Sequence, residues 1–289
     1  MTGRIVKGVG GFYTALCEGE KYTLRARGSL RRQKITPTVG DFVEFTPGED
    51  EADGWLERVL ERKNSLERPP VANIDIALLQ VAACNPQPDL LMLDKLLIIC
   101  HMAGIDAAVI VSKADLDPDM AKSIAAQYEK SGVPVCMVSS KTGAGLDKVR
   151  DMTRGRACAW AGQSGVGKST IISTLFGLEL ETGSLSRRTE RGRHTTRHVE
   201  LIDVGEDTLV FDTPGFSLLD LPLMEPMDVQ KGYPEFDNVS GCRFAPCAHI
   251  SEPGCMFKAE RESLMSDERY ERYKQIFDEM RERWKNRYD

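Results

Sequence analysis

The residues Gly162-Gln163-Ser164-Gly165-Val166-Gly167-Lys168-Ser169 fit the pattern G-x-x-x-x-G-K-[ST]. They follow an apolar run at 157–161 and precede a helical run at 170–176, the strand, loop and helix setting that the pattern requires. In such a setting glycines let backbone N–H groups turn inward around phosphate oxygens, and the following helix presents its positive end to the same anion. Lys168 is then expected to reach the β- and γ-phosphates and Ser169 to hold Mg²⁺ through its hydroxyl, with Thr170 completing the loop. The chain is expected to bind a nucleoside triphosphate.

Upstream of this loop, apolar runs at 74–82, 107–111, 133–138 and 157–161 alternate with helical patterns near 90–103, 119–130 and 145–151. Apolar strands separated by helices indicate an α/β fold with a parallel sheet covered on both faces. The first 65 or so residues differ, with short alternating stretches such as Tyr22-Thr23-Leu24-Arg25-Ala26 broken by Gly and Pro. Period-two patterning with close turn signals indicates a small antiparallel barrel. Arg68-Pro69-Pro70 reads as a linker, since consecutive prolines stop regular structure. After about Leu221 an irregular Cys/Pro/Gly-rich stretch leads into a charged segment from Ser266, where Tyr270, Tyr273, Phe277, Met280, Trp284 and Tyr288 recur at helical spacing. That stripe either packs on its own domain or faces a partner. The chain of 289 residues is thus expected to divide into three domains, 1–66, 67–220 and 221–289.

Two further elements belong with the phosphate loop. Asp212-Thr213-Pro214-Gly215 follows the apolar run 208–211, where an acid at a strand end is expected to make a second Mg²⁺ contact. Between them, Gly192-Arg193-His194-Thr195-Thr196 is a polar segment in which Thr195 or Thr196 is placed to offer the metal a hydroxyl. Base recognition is read from Ser112-Lys113-Ala114-Asp115, the nearest match to N-K-x-D, whose Asp accepts from guanine N1 and N2 while the Lys packs along the base. Ser112 stands at the Asn position, so the amide contacts that normally brace the loop are lost or supplied elsewhere. Ser139-Ser140-Lys141, after the run 133–138, resembles the loop whose backbone meets the guanine O6. Here base recognition precedes the phosphate loop along the chain, so the domain looks circularly permuted, which is feasible where the termini of an α/β domain lie close together. The switch at 212–215 then runs directly into the C-terminal region.

Cys242, Cys247, His249 and Cys255 form C-x₄-C-x-H-x₅-C. Three thiolates and an imidazole are a standard tetrahedral Zn²⁺ set with no position left for water, so the metal would be structural. Cys17, Cys84, Cys100, Cys136 and Cys158 lie mostly in apolar patterns and read as small core residues. With 41% hydrophobic and 28% charged residues the chain is an ordinary folded one, not disordered or collagen-like. No apolar run is long enough for a membrane span, and the N-terminus lacks the core of a secretory signal, so a cytoplasmic protein with reduced cysteines and no membrane partner is expected. The net charge of -6 argues against nucleic acid, yet residues 1–40 hold eight basic residues against two acidic ones. Arg25, Arg27, Arg31, Arg32 and Lys34 are therefore the candidate RNA contacts on the barrel, with Arg187, Arg188, Arg191, Arg193 and Arg197 a second basic segment. From these residues alone, an ATP-using enzyme and a nucleotide-gated RNA-binding module stand as rivals to a GTPase.

With its permuted motif order, N-terminal barrel and C-x₄-C-x-H-x₅-C knuckle, the chain closely resembles the bacterial ribosome-small-subunit-dependent GTPase A family along essentially its whole length. That resemblance implies an OB-fold, a permuted GTPase domain and a zinc domain. It also implies a late assembly factor that binds the small ribosomal subunit and its rRNA and leaves after GTP hydrolysis to GDP. Carried onto this sequence, it assigns nucleotide contacts to Lys113, Asp115, Ser139 to Lys141, Gly162 to Thr170, Asp212 and Gly215. The zinc ligands would be Cys242, Cys247, His249 and Cys255. Phe216 occupies the place where many GTPases carry a water-orienting Gln, and the family's substitute maps to His194 as the catalytic group. Hydrolysis is expected to be slow until the subunit stimulates it, and the protein is expected to be a monomer.

Overall fold

The computed structural model describes residues 1–32, 35–49, 52–178, 199–212, 220–237 and 239–288, apart from the side chains of Ser29 and Arg31. Several residues of interest in the sequence lie outside that set: Lys34, the side chain of Arg31, Arg187, Arg188, Arg191, Arg193, His194, Thr195, Thr196, Arg197, Gly215 and Phe216.

The alternating stretches at the N-terminus form β1 (Thr2–Val9), β2 (Phe12–Cys17), β3 (Glu20–Ala26), β4 (Phe42–Thr46) and β5 (Gly54–Val59), with a short α1 (Gly28–Arg32) between β3 and β4. Their order, β1-β2-β3-β5-β4, closes through pairing of β1 with β4, giving a five-stranded barrel of OB type. Alternation turns Ile5, Ala15, Leu24, Val43, Phe45 and Leu56 inward, where all six are buried. At the barrel's base Asp41 is buried and takes two hydrogen bonds from Arg62, at 2.7 and 2.9 Å, and one from the Thr38 N–H.

Arg68-Pro69-Pro70, which the proline rule marks as an open linker, instead forms the tip of a hairpin between β6 (Ser65–Glu67) and β7 (Pro70–Ala72). Pro70 opens its strand, where the missing N–H is tolerated. Next to this hairpin, Asn73 donates to Gly40 O, and Asn64 exchanges bonds with both backbone groups of Ile74, tying the barrel to the central sheet.

The central layer is β10 (Val135–Met137), β9 (Asp106–Ser112), β8 (Ile76–Ala82), β11 (Ala157–Gly162), β13 (Leu209–Asp212) and β12 (Glu200–Asp203) in that spatial order. All pairings are parallel except β12 with β13 and β12 with β1; the second of these joins the layer to the barrel at Lys7 and Glu200. Alternate residues of β8 and β9 face opposite ways. Ala77, Leu79, Val81 and Val109 pack with α2 (Leu90–Met102) and α3 (Pro118–Tyr128), while Ile76, Leu78, Ala108 and Ile110 pack with α4 (Leu146–Thr153) and α5 (Lys168–Phe176).

The helix α2 is apolar nearly all round because two cores share it. Leu93, Leu96, Leu97 and Cys100 face the sheet, and Ile98 and Ile99 enter a C-terminal core built on 3₁₀ turns at 226–232 and 234–236, α6 (Met256–Leu264) and α7 (Asp267–Lys285). In α7 the expected stripe is buried at Tyr270, Tyr273, Phe277 and Met280; Trp284 is half-buried and Tyr288 is 87% exposed. The stripe therefore leaves the core after Met280, and Tyr288 lies beyond the end of the helix.

Between α2 and α7 lies a buried ionic cluster that no sequence pattern announced. Arg269, 1% exposed, bonds Asp94 and Glu235 (2.5 Å to the latter), and Arg272 bonds the other oxygen of Asp94 at 2.6 Å. The Arg269 guanidinium sits 4.6 Å from the Tyr233 ring centroid and 4.9 Å from that of Tyr128, whose hydroxyl donates to Asp94 at 2.9 Å. Burial beside Asp94 pushes the Tyr128 pKa well above its usual value, so the phenol stays a donor. Removing one member of such a cluster strands the others in low dielectric. Arg269→Met is expected to lower unfolding stability by about 3–5 kcal/mol in denaturant titration. A loss below about 1 kcal/mol would mean that water reaches the cluster.

Candidate functional site

Four described loops leave the carboxyl ends of the parallel strands on one edge of the sheet, 83–89 after β8, 113–117 after β9, 138–145 after β10 and 163–167 after β11, and β13 ends at Asp212 on the same edge. In open α/β sheets that edge is where ligands bind. Every nucleotide residue named from the sequence within the described set belongs to it.

The phosphate loop is set by close packing. A Cβ on Gly162 would lie 1.9 Å from Gln80 O, so no side chain fits where β11 passes β8. Gly167 has φ +91° and is the N-cap of α5, with no side chain capping the helix. The first-turn N–H groups and the positive end of the helix dipole are thus left for an anion. Lys168 folds over the loop, its Nζ donating to Gly162 O and Gln163 O at 2.7 Å each. Among the described residues no carboxylate pairs with it, and burial lowers its pKa to about 8. An ammonium desolvated and held only by carbonyls is a fit for phosphate oxygens. Ser169 is half-buried in the first turn of α5 and Thr170 exposed beside it, while Ser164 and Gly165 form the exposed rim.

The loop after β9 lies against the phosphate loop. Ser112 is buried, its Oγ 2.7 Å from Val166 O and 3.1 Å from Val81 O. Lys113 has φ +56° and stretches its Nζ to Asn85 O and, at 3.0 Å, Gly165 O. Asp115 is exposed at the rim. Next to it, Ser139 is buried and its Oγ accepts the Thr142 N–H, curling the loop so that Ser140 and Lys141 are exposed. Ala114 N donates to Val138 O, joining the two base-side loops.

Sequence reasoning missed two contributors. The loop after β8 supplies Asn85 O to Lys113 and the Asp89 N–H to Gln163 Oε1 at 3.3 Å; its only sequence signal was the turn-forming run Asn85-Pro86-Gln87-Pro88. Gln80 donates to Val166 O at 2.8 Å, and it is the one polar residue of a strand buried at every position.

The cysteine cluster belongs to the C-terminal core. One donor atom from each of Cys242, Cys247, His249 and Cys255 lies within 4.8 Å of every other. His249 Nδ1 is 3.3 Å from Cys255 Sγ and 3.8 Å from Cys242 Sγ, which makes Nδ1 the donor nitrogen. Tetrahedral Zn²⁺ with bonds of 2.3 Å separates its sulfurs by about 3.8 Å, so these residues fit that ion with little contraction. Around them, Tyr270 and Tyr273 donate to His249 O and Ala248 O at 2.6 Å each, and Glu252 takes the N–H groups of Ala248, Ile250 and Ser251. Phe236 stacks on the His249 ring at 5.0 Å.

On the barrel, two of the candidate RNA contacts, Arg25 and Arg27, are ion-paired. Arg25 pairs with Asp53 and Arg27 with Glu57, each at 2.8 Å, and the two guanidiniums lie over the exposed rings of Phe12 and Trp55. Arg32 is exposed at the end of α1. Among the described residues no helix is long and apolar enough to cross a membrane.

The sequence model of the RsgA GTPase family matches residues 59–222, more than half of the chain, and that of the RsgA N-terminal domain matches residues 2–56. The chain is 40% identical to the small ribosomal subunit biogenesis GTPase RsgA of Agathobacter rectalis, over 99% of this chain and all of that one. To RsgA 2 of Listeria innocua it is 41% identical, over 98% of each. Among solved structures it resembles YjeQ from Thermotoga maritima (TM-score 0.83, 30% identity, 96% of this chain and 98% of that one). It also resembles YloQ, described as a circularly permuted GTPase (TM-score 0.79, 32% identity, 98% and 95%). On matches that run along almost its entire length, the chain belongs to the RsgA GTPase family and is a GTP hydrolase with permuted motif order.

Proposed function

We propose that the chain is a late-stage assembly factor of the small ribosomal subunit, a cytoplasmic monomer that binds rRNA and hydrolyses GTP when the subunit engages it. The observation that carries this reading is the convergence of phosphate loop and base-side loops on one strand edge, with Lys113 bonded to Gly165 O across them. The relatives' names, small ribosomal subunit biogenesis GTPase, supply the partner.

In this reading residues 1–66 are the RNA-binding barrel, 67–220 the GTPase domain and 221–289 the zinc-binding domain. Gly162 to Thr170 cradle the phosphates and Lys168 reaches their terminal oxygens. Asp115 accepts from the guanine N1 and N2 groups, Lys113 lies along the base, and Ser139, Ser140 and Lys141 close over its O6. The hydroxyls of Ser169 and of Thr195 or Thr196, with the carboxylate of Asp212, form the hard oxygen set that Mg²⁺ prefers. When bound, that ion neutralises charge developing on the phosphates. Gly215 belongs to the switch, and His194 orients or deprotonates the attacking water, a task the apolar Phe216 is unable to perform. Cys242, Cys247, His249 and Cys255 hold one structural Zn²⁺, and Arg25, Arg27, Arg31, Arg32 and Lys34 meet rRNA phosphates.

Turnover measured with and without purified small subunits tests the function directly. The expected result is strong stimulation that fades steeply with salt, and a loss of about 100-fold in stimulated turnover for His194→Ala with GTP affinity retained. Unchanged stimulated turnover in that variant would remove His194 from the mechanism, and no stimulation at all would overturn the function. Asp115→Asn is expected to shift preference from GTP to xanthosine triphosphate, because the amide presents a donor where the carboxylate accepted. Unaltered preference would dismiss the base-side assignment. For the C-terminal cluster, metal analysis of the purified chain is expected to give one zinc per chain, and Cys247→Ser to lose it together with several degrees of melting temperature. Full zinc content in that variant would exclude the proposed ligand set.

A further inference from the structure

Strand β8 is buried at all seven positions and apolar at all but one. The exception, Gln80, is 1% exposed, and both ends of its amide are used: Nε2 donates to Val166 O at 2.8 Å, and Oε1 accepts the indole N–H of Trp160 at 3.2 Å. A carbonyl only accepts and an indole N–H only donates, so the amide has a single possible orientation. From the neighbouring strand, Ser112 Oγ reaches the same Val166 O at 2.7 Å. A carbonyl oxygen has two lone pairs and takes both donors.

Val166 is the middle residue between Gly165 and Gly167, buried beneath the phosphate loop. In a planar trans peptide the C=O and the following N–H point in opposite directions. Tethering Val166 C=O to β8 and β9 therefore turns the Gly167 N–H away from those strands, at the residue that caps α5. A loop whose donors are already aimed surrenders less conformational freedom on gripping an anion.

At position 112 the N-K-x-D pattern has Asn, whose amide braces the loop. A serine hydroxyl carries one proton, and here two carbonyls compete for it, Val166 O and Val81 O. We propose that Gln80 supplies from the adjacent strand the amide that Ser112 lacks, and that Gln80, locked by Trp160, is a positioning residue of the phosphate loop. The proposal rests on the reading of residues 162–170 as the GTP phosphate site.

The test is GTP affinity by calorimetry on the full chain. Gln80→Met alone would strand the Trp160 N–H, so it is made in a Trp160→Phe background, where no buried donor is orphaned. A tenfold or greater loss of affinity is expected relative to Trp160→Phe, with the thermal melting point unchanged between the two. Adding Ser112→Asn to that pair is expected to regain most of the loss, by returning an amide to Val166 O from the β9 side. Gln80→Leu in the same Trp160→Phe background, which likewise offers Val166 O no donor, is a second route to the same loss and the same rescue. Affinity equal to that of Trp160→Phe, or a loss that Ser112→Asn leaves untouched in both backgrounds, would overturn the proposal. Lys168→Ala separates the premise from the inference. Full GTP affinity there would fell the phosphate-site reading itself, whereas a loss at Lys168 without one at Gln80 would fell only the positioning role.

Discussion

Everything at the strand edge depends on how closely β11 passes β8. With only 1.9 Å between an imagined Cβ at Gly162 and Gln80 O, the phosphate loop begins flush against a strand that lies far upstream in the chain. From there the loop is tied down at successive points: Val166 O to Gln80 and Ser112, Gly165 O to Lys113, and Gln163 Oε1 to the Asp89 N–H. Each tie comes from a loop or strand upstream in sequence. The permuted order is possible because the sheet needs only the spatial order β9, β8, β11, β13 at this edge, whichever strand the chain enters first.

The same order places the C-terminal region in contact with the nucleotide edge by two routes. Along the chain, β13 ends at Asp212, and Leu221 is already in the C-terminal core with its carbonyl taken by Arg283 of α7 at 2.9 Å. Through space, α2 begins at Asp89 beside Gln163 and carries Asp94, one turn on, into the cluster with Arg269 and Arg272. A cationic pair on α7 thus holds the helix whose N-terminus touches the phosphate loop. The Cys242-Cys247-His249-Cys255 cluster leans on the same α7 through Tyr270 and Tyr273, so cluster, helix and strand edge form one packed series.

What the sequence made legible was local. Runs with period two or 3.6 located the barrel and the α/β elements, and short motifs singled out loops that the fold gathers at one strand edge and four cysteine and histidine residues that it gathers in one cluster, because each motif lies within a few consecutive residues. What escaped were pairings across the chain. Gln80 and its Val166 partner are 86 residues apart, Arg269 and Asp94 are 175 apart, and nothing in either neighbourhood names the other. Arg269 stands in the charged segment that begins at Ser266, where only the aromatic stripe carried a pattern. The prolines at 69 and 70 read as a break because proline rules describe the middle of sheets, while here they sit at a hairpin tip and a strand's first residue. The basic residues of the barrel were visible, but not that Asp53 and Glu57 answer Arg25 and Arg27. Counting charges along a chain misses such partners.

The central claim is that the two base-side loops, though earlier in sequence, form one nucleotide site with the phosphate loop. Hydrogen exchange of the full chain, with and without GDP, tests this most directly. The account predicts simultaneous protection of 113–117, 138–145 and 163–170 on nucleotide addition. Protection confined to 163–170, with the two base-side loops exchanging as in the free protein, would contradict it.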